Sequence, residues 1–132
     1  MNEVVLIIDD NSINLEVTSY LLTAFGYRVL TAQSAAEGLE IARRSAPDLI
    51  ICDLVMPGMD GHDVARLLAV DPVLAVVPLV AVTALAMVDD RKKALESGFD
   101  GYISKPIDPE TFVDEIAAFL APRPGRTSRN RG

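Results

Sequence analysis

Two rhythms of apolar and polar positions alternate along the 132-residue chain. Short unbroken apolar runs, Val4-Val5-Leu6-Ile7-Ile8, Leu49-Ile50-Ile51-Cys52 and Leu79-Val80-Ala81-Val82, read as buried β-strands, with Tyr102-Ile103-Ser104 as a shorter one. Residues Arg28 to Ala32 mix polarities, as an edge strand does. The segments between have helical spacing. Ile13, Val17, Leu21 and Ala24 fall on one helical face, and Gly26 supplies a stop. Ser34-Ala35-Ala36-Glu37 matches a capping box, so a helix begins there and ends before Pro47. Asp60 suits the N-cap of a helix near residues 62–70. A helix over about residues 86–97 closes on Gly98, a good left-handed C-cap. Asp108-Pro109-Glu110 opens a last helix running to about Ala121.

Strands alternating with helices, and inner strands that are apolar throughout, predict an α/β fold. The expected form is a doubly wound, five-stranded parallel sheet with five helices. The expected strand order is 2-1-3-4-5, with a switch point between the first and third strands. Ligands in such folds bind outside the carboxyl ends of the strands. Those ends carry Asp9 and Asp10, Asp53, Thr83 and Lys105. The topology therefore draws three carboxylates, a hydroxyl and an ammonium into one crevice.

Three adjacent carboxylates repel unless one is protonated or a cation shares them. Oxygen-only ligands favour a hard ion such as Mg²⁺. Lys105 and Thr83 suit phosphate oxygens, and a carboxylate can itself be the nucleophile. The residues alone support metal-assisted phosphoryl chemistry.

Charge narrows the partners. All 19 acidic residues and only eight of the 12 bases precede residue 122, a net of −11, whereas the tail holds Arg123, Arg126, Arg129 and Arg131. An acidic body argues against DNA binding, which needs phosphate neutralisation. We expect a domain over residues 1–121 and a basic, disordered tail over 122–132 that is a solvated extension or docks an acidic partner. One cysteine fits a reducing compartment, and Cys52 reads as a small core residue. No apolar stretch reaches the ~20 residues of a membrane span and no secretory signal is visible, so a cytoplasmic location is expected.

Four segments, in order and at matching spacing, resemble the receiver domain of two-component response regulators over residues 3–121. They are Val4 to Asn11, Pro47 to Gly61 (with Asp53-Leu54-Val55-Met56-Pro57-Gly58-Met59-Asp60-Gly61), Val80 to Ala84, and Gly101 to Pro106. Residues 81–87 and 102–107 resemble those of stand-alone single-domain receivers. The resemblance implies a CheY-like, flavodoxin-like fold and a phosphorylation switch rather than an enzyme with a separate substrate. It makes Asp53 the phosphoacceptor for a phosphohistidine on a histidine kinase or histidine phosphotransfer protein. It makes Asp10, Asp53 and the Val55 backbone carbonyl the ligands of Mg²⁺, with Asp9 acting through water. Thr83 becomes the switch hydroxyl, Tyr102 the aromatic that turns with it, and Lys105 the partner of phosphoryl oxygens. The Lys105-Pro106 bond is expected to be cis.

Other residues have plainer readings. Asp60 and Asp108 read as helix caps, His62 as an exposed or capping residue, and Arg91-Lys92-Lys93 as a solvated face. Residues 56–59 shape one wall of the site. Val55 and Leu85 are aliphatic where the family uses side chains that place attacking water, so a long-lived phosphoryl group is expected. Output is expected through a protein contact on the face formed by residues 86–120. The alternative is a receiver module of a hybrid histidine kinase, a phosphorelay intermediate. A phosphatase with an aspartyl nucleophile or a flavin module fits less well. The first would place its nucleophile after the first strand and add a cap domain. The second would need a Ser/Thr/Gly-rich phosphate loop where Asp9-Asp10-Asn11 stands.

Overall fold

Residues 3–85 and 87–120 are described by the computed structural model. The strands are β1 (Val4–Ile8), β2 (Arg28–Ala32), β3 (Leu49–Cys52), β4 (Leu79–Thr83) and β5 (Gly101–Ser104). The helices are α1 (Ser12–Ala24), α2 (Ala35–Ser45), α3 (Gly61–Ala69), α4 (Val88–Ser97) and α5 (Pro109–Leu120). All strand pairs are parallel, in the order β2-β1-β3-β4-β5, as expected. The expected start of the fourth helix at Ala86, the end of the last at Ala121 and the basic tail lie outside the described residues.

Alternate strand residues feed two cores, because successive side chains point to opposite faces. Leu6, Ile8, Ile50, Cys52 and Ala81 pack under α2 and α3, meeting Leu39, Val64 and Leu68. Val5, Ile7, Leu49, Ile51, Val80 and Val82 pack under α1 and α5, meeting Leu15, Leu22, Phe112 and Ile116.

The inward face of α1 differs from expectation. Leu15, Thr18 and Leu22 are buried, whereas Ile13 is 69% and Val17 47% exposed. This helix is apolar on two opposite stripes, so periodicity allows two phases, and docking on the sheet selects the stripe that includes a threonine. Ser34 caps α2 by accepting from the Glu37 N–H at 3.2 Å, but Glu37 accepts from the Gln33 N–H at 3.0 Å, one residue before the capping-box position. A complete capping box is at α3, between Asp60 and Asp63. Asp108 Oδ1 accepts from the Glu110 N–H at 2.9 Å, and Gly98 ends α4 with φ 119°. A 3₁₀ turn over Leu74–Val76 precedes β4. The Lys105-Pro106 peptide is cis.

Candidate phosphoryl-transfer site

Strand register builds the site. Ile8 lies beside Cys52, Cys52 beside Ala81, and Thr83 beside Ser104, so the residues that follow these pairs emerge together at the carboxyl edge. Backbone bonds extend the alignment past the strands. The Asp53 N–H donates to the Ile8 carbonyl at 3.0 Å, and the Lys105 N–H to that of Thr83 at 2.8 Å. Asp9 (5% exposed) and Asp53 (8%) are buried, while Asp10 stands exposed at the rim.

The Lys105 ammonium bridges the two buried carboxylates, donating to Asp9 Oδ2 at 2.8 Å and to Asp53 Oδ2 at 2.9 Å. The other oxygens are held by backbone N–H groups: Asp9 Oδ1 by Asn11 at 2.9 Å and Asp53 Oδ1 by Val55 at 3.2 Å. Burial works against the Lys105 charge, but its hydrogen bonds to Asp9 and Asp53 and their field outweigh that cost, raising its pKa above the ordinary lysine value. Asp9, Asp10 and Asp53 each offer a carboxylate oxygen within 4.8 Å of the others, the one such cluster among the described residues. This oxygen-only set, with no imidazole or thiolate, suits Mg²⁺. Cys52 is buried beneath it and gives its S–H to the Asp53 carbonyl; burial pushes that thiol well above its usual range.

Thr83 is on the adjacent strand end and 1% exposed, and its hydroxyl is tied to the loop that follows β4. Its Oγ1 accepts a long bond, 3.4 Å, from the Leu85 N–H. Tyr102 is tied to the same loop. It is half-buried against the α2–α3 core, and its hydroxyl donates to the Leu85 carbonyl. Burial, then the Asp90 carboxylate, raises its pKa. The Leu85 backbone thus joins both switch candidates, a role no side-chain pattern announces. His62 corrects the exposed-or-capping reading. It is half-buried, with Nδ1 2.8 Å from Ser97 Oγ at the end of α4 and its ring edge-on to Phe99. These residues are 35 positions apart in the chain, so only the fold pairs them.

Residues 5–117 match the family model described as response regulator receiver domain. The chain belongs to that family. It is 37% identical over 120 residues to the polar-differentiation response regulator DivK of Brucella ovis, spanning 91% of this chain and 98% of that one. Among solved structures it is similar to the chemotaxis protein CheY4 of Vibrio cholerae, with TM-score 0.85, 26% identity and coverage of 90% and 99% of the two chains. It is also similar to the receiver domain of a sensor histidine kinase from Pseudomonas aeruginosa, solved with a magnesium ion coordinated in the active site cleft, with TM-score 0.84, 27% identity and coverage of 91% and 98%. As a receiver, this chain is a signalling domain of two-component type with an acidic pocket. Among its described residues no helix is long and apolar enough to cross a membrane.

Proposed function

We propose that the protein is a cytoplasmic, single-domain response regulator that stores a signal as a phosphoryl group on Asp53. The observation that carries this reading is the buried Asp9–Lys105–Asp53 bridge inside the three-carboxylate cluster at the sheet's switch point. An Asp53 oxygen attacks the phosphorus of a phosphohistidine on a histidine kinase or histidine phosphotransfer protein. The P–O bond forms as the P–N bond breaks, and the electron pair leaves with the imidazole, which takes up a proton. Asp10, Asp53 and the Val55 carbonyl would hold Mg²⁺, with Asp9 acting through water, and the ion would supply charge neutralisation for the incoming phosphoryl oxygens. Lys105 moves from Asp53 to those oxygens, and Thr83 turns from Leu85 to join it.

The readout follows from what Thr83 releases. When its hydroxyl leaves the Leu85 N–H, the loop that also accepts from Tyr102 loses one tie, and the face formed by residues 86–120 shifts between two pre-existing arrangements. That face presents the output surface to a protein target. The protein is a phosphoacceptor switch that catalyses only its own phosphorylation and dephosphorylation. The match to DivK over nearly its whole length supports a response regulator rather than a relay module of a hybrid kinase.

Incubation with Mg²⁺ and acetyl phosphate or phosphoramidate tests the chemistry. The parent gains about 80 Da, one phosphoryl group, and Asp53→Asn gains nothing. An unchanged parent mass with every small donor, or an adduct that persists in Asp53→Asn, overturns the reading.

A further inference from the structure

Gly61 opens α3 against the end of β3. A Cβ at this position would stand 2.5 Å from the Asp53 carbonyl oxygen and 2.8 Å from the Leu54 Cα. Both are backbone atoms and cannot swing aside as a flexible side chain can. The glycine's own N–H donates to the Leu54 carbonyl at 3.0 Å, so the first residue of α3 rests directly on the backbone that presents Asp53. Two other crowded glycines differ in kind. A Cβ at Gly38 would meet the Ile8 side chain, and one at Gly101 the Phe119 ring.

Of the two neighbours of Gly61, the start of α3 is the less free to yield. The start of α3 is pinned by reciprocal bonds, Asp63 N–H to Asp60 Oδ1 at 3.0 Å and Asp60 N–H to Asp63 Oδ2 at 3.1 Å. The Asp53 N–H is fixed to β1 through the Ile8 carbonyl at 3.0 Å. The displacement caused by an added methyl group therefore falls on residues 53–55. That segment carries the Asp53 carboxylate and the Val55 N–H that holds its Oδ1.

We propose that Gly61 is a positioning residue for the phosphoacceptor. Its missing side chain lets α3 seat against the Asp53-Leu54 backbone, and this seating sets where the Asp53 carboxylate and the Val55 carbonyl stand. The inference rests on the reading of Asp53 as the acceptor. A shift of about 1 Å in a reacting group costs about a hundredfold in rate, and a disturbed supporting contact costs about tenfold or more in metal affinity.

The test compares Gly61→Ala with Gly101→Ala, whose clash lies at the opposite end of the sheet. For each, Mg²⁺ affinity is measured by calorimetry, phosphoryl uptake from phosphoramidate by mass, and thermal stability. Gly61→Ala should take up phosphoryl groups about a hundredfold more slowly than the parent and bind Mg²⁺ about tenfold more weakly at temperatures where it is folded. Gly101→Ala should lose stability and keep the parent's uptake rate. Adding Asp63→Ala to Gly61→Ala unpins the helix start, so the double variant should recover part of the lost rate although it is less stable. Uptake by Gly61→Ala within about twofold of the parent, or equal rate losses in Gly61→Ala and Gly101→Ala, overturns the proposal. If Gly61→Ala does not fold, a folded double variant that matches the parent in rate and Mg²⁺ affinity overturns it as well. A parent that takes up no phosphoryl group overturns instead the assignment of Asp53 on which the proposal rests.

Discussion

At the carboxyl edge of the sheet the Asp9, Asp53 and Lys105 side chains are charged and tied to one another, whereas the Thr83 and Tyr102 hydroxyls of β4 and β5 are tied to one stretch of backbone. Asp9 and Asp53 share the Lys105 ammonium at 2.8 and 2.9 Å, with their remaining oxygens on backbone N–H groups. Thr83 and Tyr102 both reach the Leu85 peptide, Thr83 through a bond stretched to 3.4 Å. The first arrangement is costly to disturb, since a buried carboxylate that loses its partners pays its full desolvation penalty. The second is easily exchanged, because a long neutral hydrogen bond contributes at most about 1 kcal/mol net. Under the proposed function, the first arrangement would hold the nucleophile still while the second lets the Thr83 hydroxyl move.

Removing the charged tie should have the largest effect. Lys105→Ala leaves Asp9 Oδ2 and Asp53 Oδ2 facing each other without a cation, and we expect a loss of about 2 kcal/mol in metal-free buffer. Mg²⁺ should restore more stability to this variant than to the parent, because it replaces the missing positive charge. Thermal unfolding with and without Mg²⁺ checks both. Equal losses in the two buffers would show that Lys105 and the metal do not serve the same carboxylates.

A smaller effect is expected at the pocket mouth. Val55 is 58% exposed and Leu85 is half-buried, and neither side chain can orient water. Val55→Asn and Leu85→Glu should each speed phosphate loss by about tenfold, below the range of a fully placed general base. Following the phosphorylated mass over time decides it; unchanged lifetimes in both variants would mean that these positions do not set the clock.

The smallest effect belongs to the neutral side. Tyr102→Phe removes the hydroxyl bond to Leu85 and should cost about 1 kcal/mol in unfolding free energy. Phosphoryl uptake should stay at the parent's rate. A fall in uptake would break the separation between the charged and the neutral groups at the sheet edge.

How much of this was legible in the sequence depends on what each feature is made of. The strands were readable within a residue, since runs such as Leu49-Ile50-Ile51-Cys52 are buried on both faces and end in acids or small polar residues. The pocket was readable for the same reason: strand ends mark where side chains converge, and Asp9, Asp53 and Lys105 do meet there. The phase of α1 was not, because Ile13 and Val17 compete with Leu15 and Leu22 and only the sheet decides between them. The Leu85 peptide was invisible because a backbone N–H and carbonyl carry no residue identity. Gly61 stood in plain view between Asp60 and His62, but its crowding against Asp53 exists only after α3 has packed. The start of α4 was hidden in another way. Met87 precedes it with no capping side chain of its own, and Asp90 accepts from the Met87 N–H at 3.2 Å instead.

The central claim is that one carboxylate of the three is the acceptor. It is tested most directly by treating the protein with Mg²⁺ and acetyl phosphate, reducing it with borohydride and mapping the peptides. An aspartyl phosphate is reduced to homoserine, so the account predicts homoserine at position 53 and unmodified Asp9 and Asp10. Homoserine at position 9 or 10, or none while phosphate is taken up, would contradict it.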